Sequence, residues 1–381
     1  MPFFITSLTR RVSKLHIDWI LVVSASLLVL FGLVTMNSFT ADNSYFDRQV
    51  IWFFIALGAF FGASFFDWSF LRRTNVLITL FVLLIALLGS LLILASSVKG
   101  AKSWIDFGFF SFQPTDIAKL LLVLILAKYF SRRHIEIANI RHIIVSGIYA
   151  FILFVLVALQ PDFGGAIIIA FVWLGMTLVS GISKRHILAL ILLSTVAFGV
   201  LWGYGFKDYQ KARVLNFLHP LADIRGSGYN AYQSTIAVGS GEILGKGIGY
   251  GTQSKLKFLP EYETDFVFAA FAEEWGFVGV VFMMGIFSVL MWRILSTARN
   301  GASNFEILYA LGLAILFMSH FVINTGMNMG LLPVTGINLP FVSYGGSHLI
   351  TSFFALGILA SMRRYERPLH KDEADKEFLG I

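Results

Sequence analysis

Phe258-Leu259-Pro260-Glu261-Tyr262-Glu263-Thr264-Asp265-Phe266 closes a long polar, glycine-rich segment and leads directly into an apolar run over 266–292. A helix needs roughly 20 apolar residues to cross the hydrocarbon core of a bilayer, and this run is long enough. Asp265 therefore stands at a membrane surface, at the mouth of a helix. A carboxylate in that place can meet a polar head group while the helix behind it contacts the same molecule's lipid tail. Chemistry on a lipid-linked substrate needs that arrangement.

Working outward, the rest of the chain has the same character. Of its 381 residues 57% are hydrophobic and 13% charged, and the mean hydropathy is +0.78, which excludes an ordinary water-soluble globule. Apolar blocks of membrane length recur at 17–39, 48–66, 74–96, 115–130, 143–160, 163–180, 187–203, 266–292, 305–327 and 343–362. They are continuous rather than alternating, so they form helices and not the strands of a barrel. The expected fold is all-α: a polytopic integral membrane protein with about ten transmembrane helices. One membrane domain covers 1–365, with a large extracytoplasmic loop over 204–265 before the eighth helix and a cytoplasmic tail over 366–381.

Charge sets the orientation. Arg10, Arg11, Lys14, Arg72, Arg73, Lys128, Arg132, Arg133, Arg141, Lys184, Arg185, Arg293 and Arg299 fall on one side, with the C-terminal Arg363, Arg364 and Arg367; the opposite short loops hold Arg48, Lys99 and Lys102. By the positive-inside rule both termini face the cytoplasm. Basic residues that punctuate many loops also explain the net charge of +7 without a nucleic-acid partner. The chain has no cysteine, which excludes disulfides, thiolate metal sites and a cysteine nucleophile.

Several polar segments interrupt the apolar pattern. In the outer loop, Gly241-Glu242-Ile243-Leu244-Gly245-Lys246-Gly247 lacks the spacing and the Ser/Thr of a phosphate-binding loop. It reads as a tightly turned re-entrant loop, whose backbone N–H groups and Lys246 can also meet an anionic head group. Tyr232-Gln233-Ser234-Thr235-Ile236-Ala237-Val238 reads as a short interfacial helix. Pro114 opens a helix on which Asp116 and Lys119 lie three apart and can pair. Gln160-Pro161-Asp162-Phe163-Gly164-Gly165 is a turn carrying a carboxylate. Residues 330–347 are apolar yet broken by Gly and Pro, as in a segment buried against protein. Glu273 and Glu274, about 12 Å along the helix after Asp265 at 1.5 Å per residue, should face the interior and have partners. His320 and Asn324 at i, i+4 suit hydrogen bonds between helices better than a metal.

Five blocks in fixed order carry a resemblance: Lys99-Gly100-Ala101 through Trp104; Phe112-Gln113-Pro114-Thr115-Asp116-Ile117-Ala118-Lys119; Gln160-Pro161-Asp162-Phe163-Gly164; Gly251-Thr252-Gln253-Ser254 with Phe258-Leu259-Pro260-Glu261 and Thr264-Asp265-Phe266; and Leu339-Pro340-Phe341-Val342-Ser343-Tyr344-Gly345-Gly346-Ser347. Over nearly its whole length the chain resembles the SEDS (shape, elongation, division, sporulation) proteins. Asp208-Tyr209-Gln210 and Gly251-Thr252-Gln253-Ser254 make it more similar to the RodA branch than to FtsW. Two positions depart from the pattern. The family usually has Glu where Asp116 stands, and often His where Glu263 stands, so the reach to Lys119 is shortened and a negative charge is added beside Asp265.

The resemblance implies a peptidoglycan glycosyltransferase that polymerises lipid II during cell elongation and shape maintenance, on the outer face of the bacterial cytoplasmic membrane. It implies Asp265 as the catalytic general base for the acceptor hydroxyl. Arg48, Lys102 and Lys119 would hold pyrophosphate or neighbouring carboxylates, Asp116 and Asp162 would orient them, and Trp104, Lys246 and Ser343 would complete the substrate-binding set. A divalent cation, Mg2+ or Mn2+, is compatible with pyrophosphate departure, and no organic cofactor is expected. Implied partners are a class B penicillin-binding protein transpeptidase, other elongation-complex membrane proteins and membrane lipid. The rival readings are a lipid II flippase and a non-catalytic scaffold. Candidate polar residues gathered on one face and the lack of a detectable inverted repeat argue against the transporter.

Overall fold

The computed structural model describes residues 17–39, 44–94, 103–106, 108, 111–131, 140–219, 228–256 and 258–364. Lys102 and the tail expected over 366–381 lie outside them.

The described chain is a helical bundle. The helices are α1 (Trp19–Phe39), α2 (Ser44–Phe65), α3 (Thr74–Leu94), α4 (Pro114–Ser131), α5 (Ile140–Leu159), α6 (Phe163–Val179), α7 (Lys184–Val200), α8 (Asp208–Leu218), α9 (Tyr229–Ser240), α10 (Thr252–Lys255), α11 (Val267–Arg299), α12 (Asn304–Asn328) and α13 (Gly346–Arg364). Seven of these, α1, α2, α3, α5, α7 with its π-turn, α11 and α12, are long and apolar enough to cross a membrane. The other three expected spans are also helical, but α6 and α13 are shorter and α4 carries buried charge. The chain is a multi-pass membrane protein.

α4 lies at the centre. All its residues except Ile117, Lys128, Tyr129 and Ser131 are buried, and α12, α6 and α3 pack around it. A helix that hides every face has no room for an unpaired charge, so Asp116 and Lys119 must satisfy one another. α13 lies along α2, and α1 along α11. α7 buries none of its described side chains and presents Leu188, Ile191, Leu192 and Leu193 outward.

Three observations depart from the sequence reading. First, the outer segment is not mainly loop: α8, α9 and α10 occupy it, and α9 extends the expected 232–238 helix at both ends. Second, an all-α chain carries one two-stranded antiparallel pair, Ile105–Asp106 with Ser111–Phe112, just before α4. Third, the apolar run over 266–292 is not one continuous helix. α11 breaks at Gly276, whose φ of 63° and ψ of −168° are open to glycine alone.

The glycine-rich turn fills that break. Lys246 N–H donates to Glu273 O at 3.0 Å and Gly247 N–H to Glu274 O at 3.0 Å, capping the first part of α11. Phe277 N–H donates to Glu242 O at 2.9 Å and Val278 N–H to Ile243 O at 3.0 Å, satisfying the start of the second part. A Cβ on Gly245 would sit 2.1 Å from Glu274 O, and one on Gly276 2.2 Å from Gly245 N. Backbone meets backbone here, which explains two of the glycines.

Candidate functional site

The 258–266 stretch folds back on itself. Phe266 N–H and Thr264 N–H both donate to Glu261 O, and Leu259, Tyr262 and Phe266 are buried with Ala237 of α9 and Ala269 and Ala270 of α11. This small apolar cluster anchors a polar turn whose three successive carbonyls are each held from elsewhere. Glu263 O accepts from Tyr344 N–H at 2.8 Å, and Thr264 O from Ser343 Oγ at 2.6 Å. Asp265 O accepts from Asn324 Nδ2 at 2.9 Å and Asn328 Nδ2 at 3.0 Å. The Thr264-Asp265-Phe266 block is thereby locked to the 339–347 block and to α12. Asp265 itself is half-buried, and its Oδ2 lies 3.5 Å from where a Cβ on Gly336 would be.

Ser343 works wholly within this clamp. Its hydroxyl donates to Thr264 O and accepts from Leu339 N–H at 2.8 Å. Gln49 of α2 holds the same turn, donating through Nε2 to Ser343 O and accepting at Oε1 from Gly345 N–H, both at 3.2 Å. Its neighbour Arg48 is exposed at the mouth of α2.

A second polar group lies on the other side of residues 335–337. Gly164 packs so closely there that an added Cβ would be 2.7 Å from Thr335 O and 2.8 Å from the Ile337 side chain. Asp162 caps α6, its Oδ1 accepting from Gly165 N–H at 2.8 Å and its Oδ2 from Gln113 Nε2 at 3.2 Å. Gln113 N–H in turn donates to Ser347 Oγ at 3.2 Å. One step deeper, Asp116 accepts from Lys119 at 3.1 Å and lies 3.4 Å from His348 Nδ1. His348 stacks on His320 at 4.9 Å between ring centres, and His320 Nδ1 is 3.2 Å from Asn338 O. The second oxygen of Asp116 and the Nε2 atoms of both histidines are buried without a protein partner.

The structure therefore gathers Asp265, Ser343, Asp162, Asp116 and Lys119 around the 333–347 segment. Arg48 is exposed on α2, next in sequence to the buried Gln49 that holds that segment. Lys246 is placed otherwise: it pairs with Glu273 at 2.7 Å and bonds Thr252 Oγ1 at 2.9 Å. Its ammonium thus ties the glycine turn to α11, and Lys246 itself stays exposed. Trp104 is half-buried beside the strand pair. Glu273 and Glu274 face the interior with partners, Glu274 accepting from Gly249 N–H.

Sequence reasoning missed Gln49, Gln113, Asn328 and His348. Each is a polar side chain in or beside an apolar helix, which is the signal that could have flagged it. Among the described residues, no group of three or more His, Asp or Glu side chains is arranged to hold a metal. These residues do not by themselves make a resident site for Mg2+ or Mn2+.

Residues 12–368 match the family model FTSW_RODA_SPOVE, described as cell cycle protein. Peptidoglycan glycosyltransferase MrdB of Escherichia coli (strain K12) is 38% identical over 292 residues, covering 77% of this chain and 79% of the relative. Probable peptidoglycan glycosyltransferase FtsW of Thiomicrospira cyclica is 35% identical over 389 residues, covering 97% of each chain. Among solved structures, a chain from a study of how a peptidoglycan synthase complex coordinates polymerization and crosslinking superposes with a TM-score of 0.80 and 31% identity, covering 93% of this chain and 100% of its own. Thermus thermophilus RodA superposes with a TM-score of 0.70 and 29% identity, covering 93% and 99%.

Proposed function

The chain belongs to the FtsW, RodA and SpoVE family of cell cycle proteins, the SEDS proteins, and on that premise we infer a multi-pass peptidoglycan glycosyltransferase of RodA type. Its substrate in this reading is lipid II, taken from the outer leaflet of the bacterial cytoplasmic membrane. Both termini then lie in the cytoplasm, in keeping with the charge distribution over the loops. The partner is a class B penicillin-binding protein that cross-links the strands made here, with other elongation-complex membrane proteins around it.

Asp265 is the general base. The acceptor sugar's 4-hydroxyl gives its proton to the Asp265 carboxylate as its oxygen bonds to the donor's anomeric carbon, and undecaprenyl pyrophosphate leaves with the electrons of the broken C–O bond. The observation that supports this most is the triple clamp on the Glu263, Thr264 and Asp265 carbonyls, which holds the main chain bearing one carboxylate just before a membrane-length helix. Fixed placement is what a base requires, because a misplacement of about 1 Å can cost about 10²-fold.

Arg48, exposed near the start of α2, is the cation suited to meet the leaving pyrophosphate. Lys119 and Asp116 are too deeply buried and too closely paired to follow a substrate, and they act by holding α4, α13 and the 333–347 segment in register. Asp162 and Ser343 orient backbone, and Trp104 offers a face for the sugar. A divalent cation would arrive on the pyrophosphate oxygens, and no step here depends on one.

Asp265→Asn keeps size and removes the proton acceptor. Polymer formed from lipid II by the reconstituted variant, with its transpeptidase present, should fall about 10²–10⁴-fold while expression and complex formation stay normal. Wild-type polymerisation by the folded variant would remove Asp265 from the mechanism. If that variant moved lipid II between leaflets and neither it nor the wild type made polymer, the flippase reading would replace this one.

A further inference from the structure

We propose that Asn324 and Asn328 of α12 are positioning residues for Asp265, acting through the main chain before α11 rather than on the substrate. The inference rests on the reading of Asp265 as the base and deepens it.

Both asparagines are fully buried, and they stand one turn apart on one face of α12. Asn324 Nδ2 donates to two carbonyls from different segments, Asp265 O at 2.9 Å and Ile337 O at 2.6 Å. It thus ties the turn that carries Asp265 to the segment whose Gly336 faces the Asp265 carboxylate. Asn328 Nδ2 donates to Asp265 O at 3.0 Å and to Asn324 O at 2.8 Å. Its Oδ1 accepts from Ala269 N–H at 3.1 Å and from Ser234 Oγ at 3.3 Å. The Ala269 N–H can only donate, so the orientation of the Asn328 amide is fixed.

The contact with Ala269 has a second meaning. Ala269 is the third residue of α11, and its N–H is one of those a helix start leaves unbonded. A side chain at the N-cap usually satisfies it, but the N-cap here is Phe266, which cannot. Asn328 supplies that cap from another helix. One amide group therefore both completes the start of α11 and holds the carbonyl of Asp265. Capping in trans means the helix start makes no call on an acceptor from its own turn, and the main chain that carries the carboxylate is set from outside by two buried donors.

The test uses the full chain, reconstituted with its transpeptidase and assayed on lipid II. Asn324→Leu removes one donor at similar size. Asn328→Asp keeps the acceptor that caps α11 and removes the other donor, so the helix start survives while the hold on Asp265 is lost. Each should lower kcat about 10-fold to 10²-fold, the range a displaced reacting group produces, and leave KM within about twofold. Tyr309→Phe is the structural control: it deletes another buried hydrogen bond of α12, Tyr309 Oη to Ala355 O at 3.0 Å, and should leave kcat unchanged. Where Asn324→Leu does not fold, Asn324→Ser is read in the same way. A folded Asn324 or Asn328 variant with wild-type kcat overturns the inference, as does an equal loss in Tyr309→Phe. Asp265→Asn is run beside them. If it is inactive while the asparagine variants are unimpaired, only the positioning role fails; if it is active too, the base reading fails with it.

Discussion

Asp116 and Lys119 show how a single pair can be both readable and incomplete. Their spacing on one helix made the contact legible, and a buried ammonium with a buried carboxylate leaves neither able to stand alone. Lys119→Met should destabilise the protein by about 3–5 kcal/mol, because it strands Asp116 without its main partner. The double variant Asp116→Leu/Lys119→Met should recover much of that loss, as measured by thermal unfolding in detergent. If the double variant is less stable than the single, the pair is not a compensated charge. The third member, His348, lies 232 residues from Asp116, and no local spacing could have joined them. The place of Asp265 just before a helix was legible from the change from polar segment to apolar run, whereas the donors that hold residues 263–265 come from α12 and the 343–344 turn. Lys246 has a partner that spacing does not show. A lysine in a glycine-rich loop reads as able to meet an anionic head group, and the break in α11 also brings Glu273 to it at 2.7 Å.

At the level of elements, hydropathy located the helices because lipid demands continuous apolar runs with internally satisfied backbones. It could not show that α11 is interrupted. A glycine in a helical pattern is usually tolerated without breaking the helix, and the turn that fits the gap lies about 30 residues earlier in the chain. The joint predicts its own sensitivity. Gly276→Ala and Gly245→Ala should each destabilise strongly: a backbone conformation reserved for glycine costs of order 1–3 kcal/mol, and the new Cβ overlaps main-chain atoms that cannot move aside. Activity should fall together with thermal stability in both. Gly285→Ala is the contrast, since an added Cβ there meets nothing within 4 Å, and it should be neutral or slightly stabilising.

For the whole molecule, orientation is the property most open to test. The natural sequence has no cysteine, so single cysteines report without background. Tyr250→Cys, exposed on the glycine turn, should react with a membrane-impermeant thiol reagent added outside, and Lys184→Cys should not. The reverse pattern would place Asp265 in the cytoplasm and end the proposed polymerase. Two ion pairs on the expected cytoplasmic side, Asp18 with Arg293 and Arg72 with Glu306, join distant parts of the chain. The first has a consequence in time. Asp18 directly precedes α1, yet its guanidinium partner is made 275 residues later, a wait of roughly 14–55 s at about 5–20 residues per second. Through that interval the first helix lacks both this ion pair and the face of α11 that it packs against in the finished bundle. A chain whose synthesis stalls before Arg293 cannot close that tie between the foot of its first helix and α11.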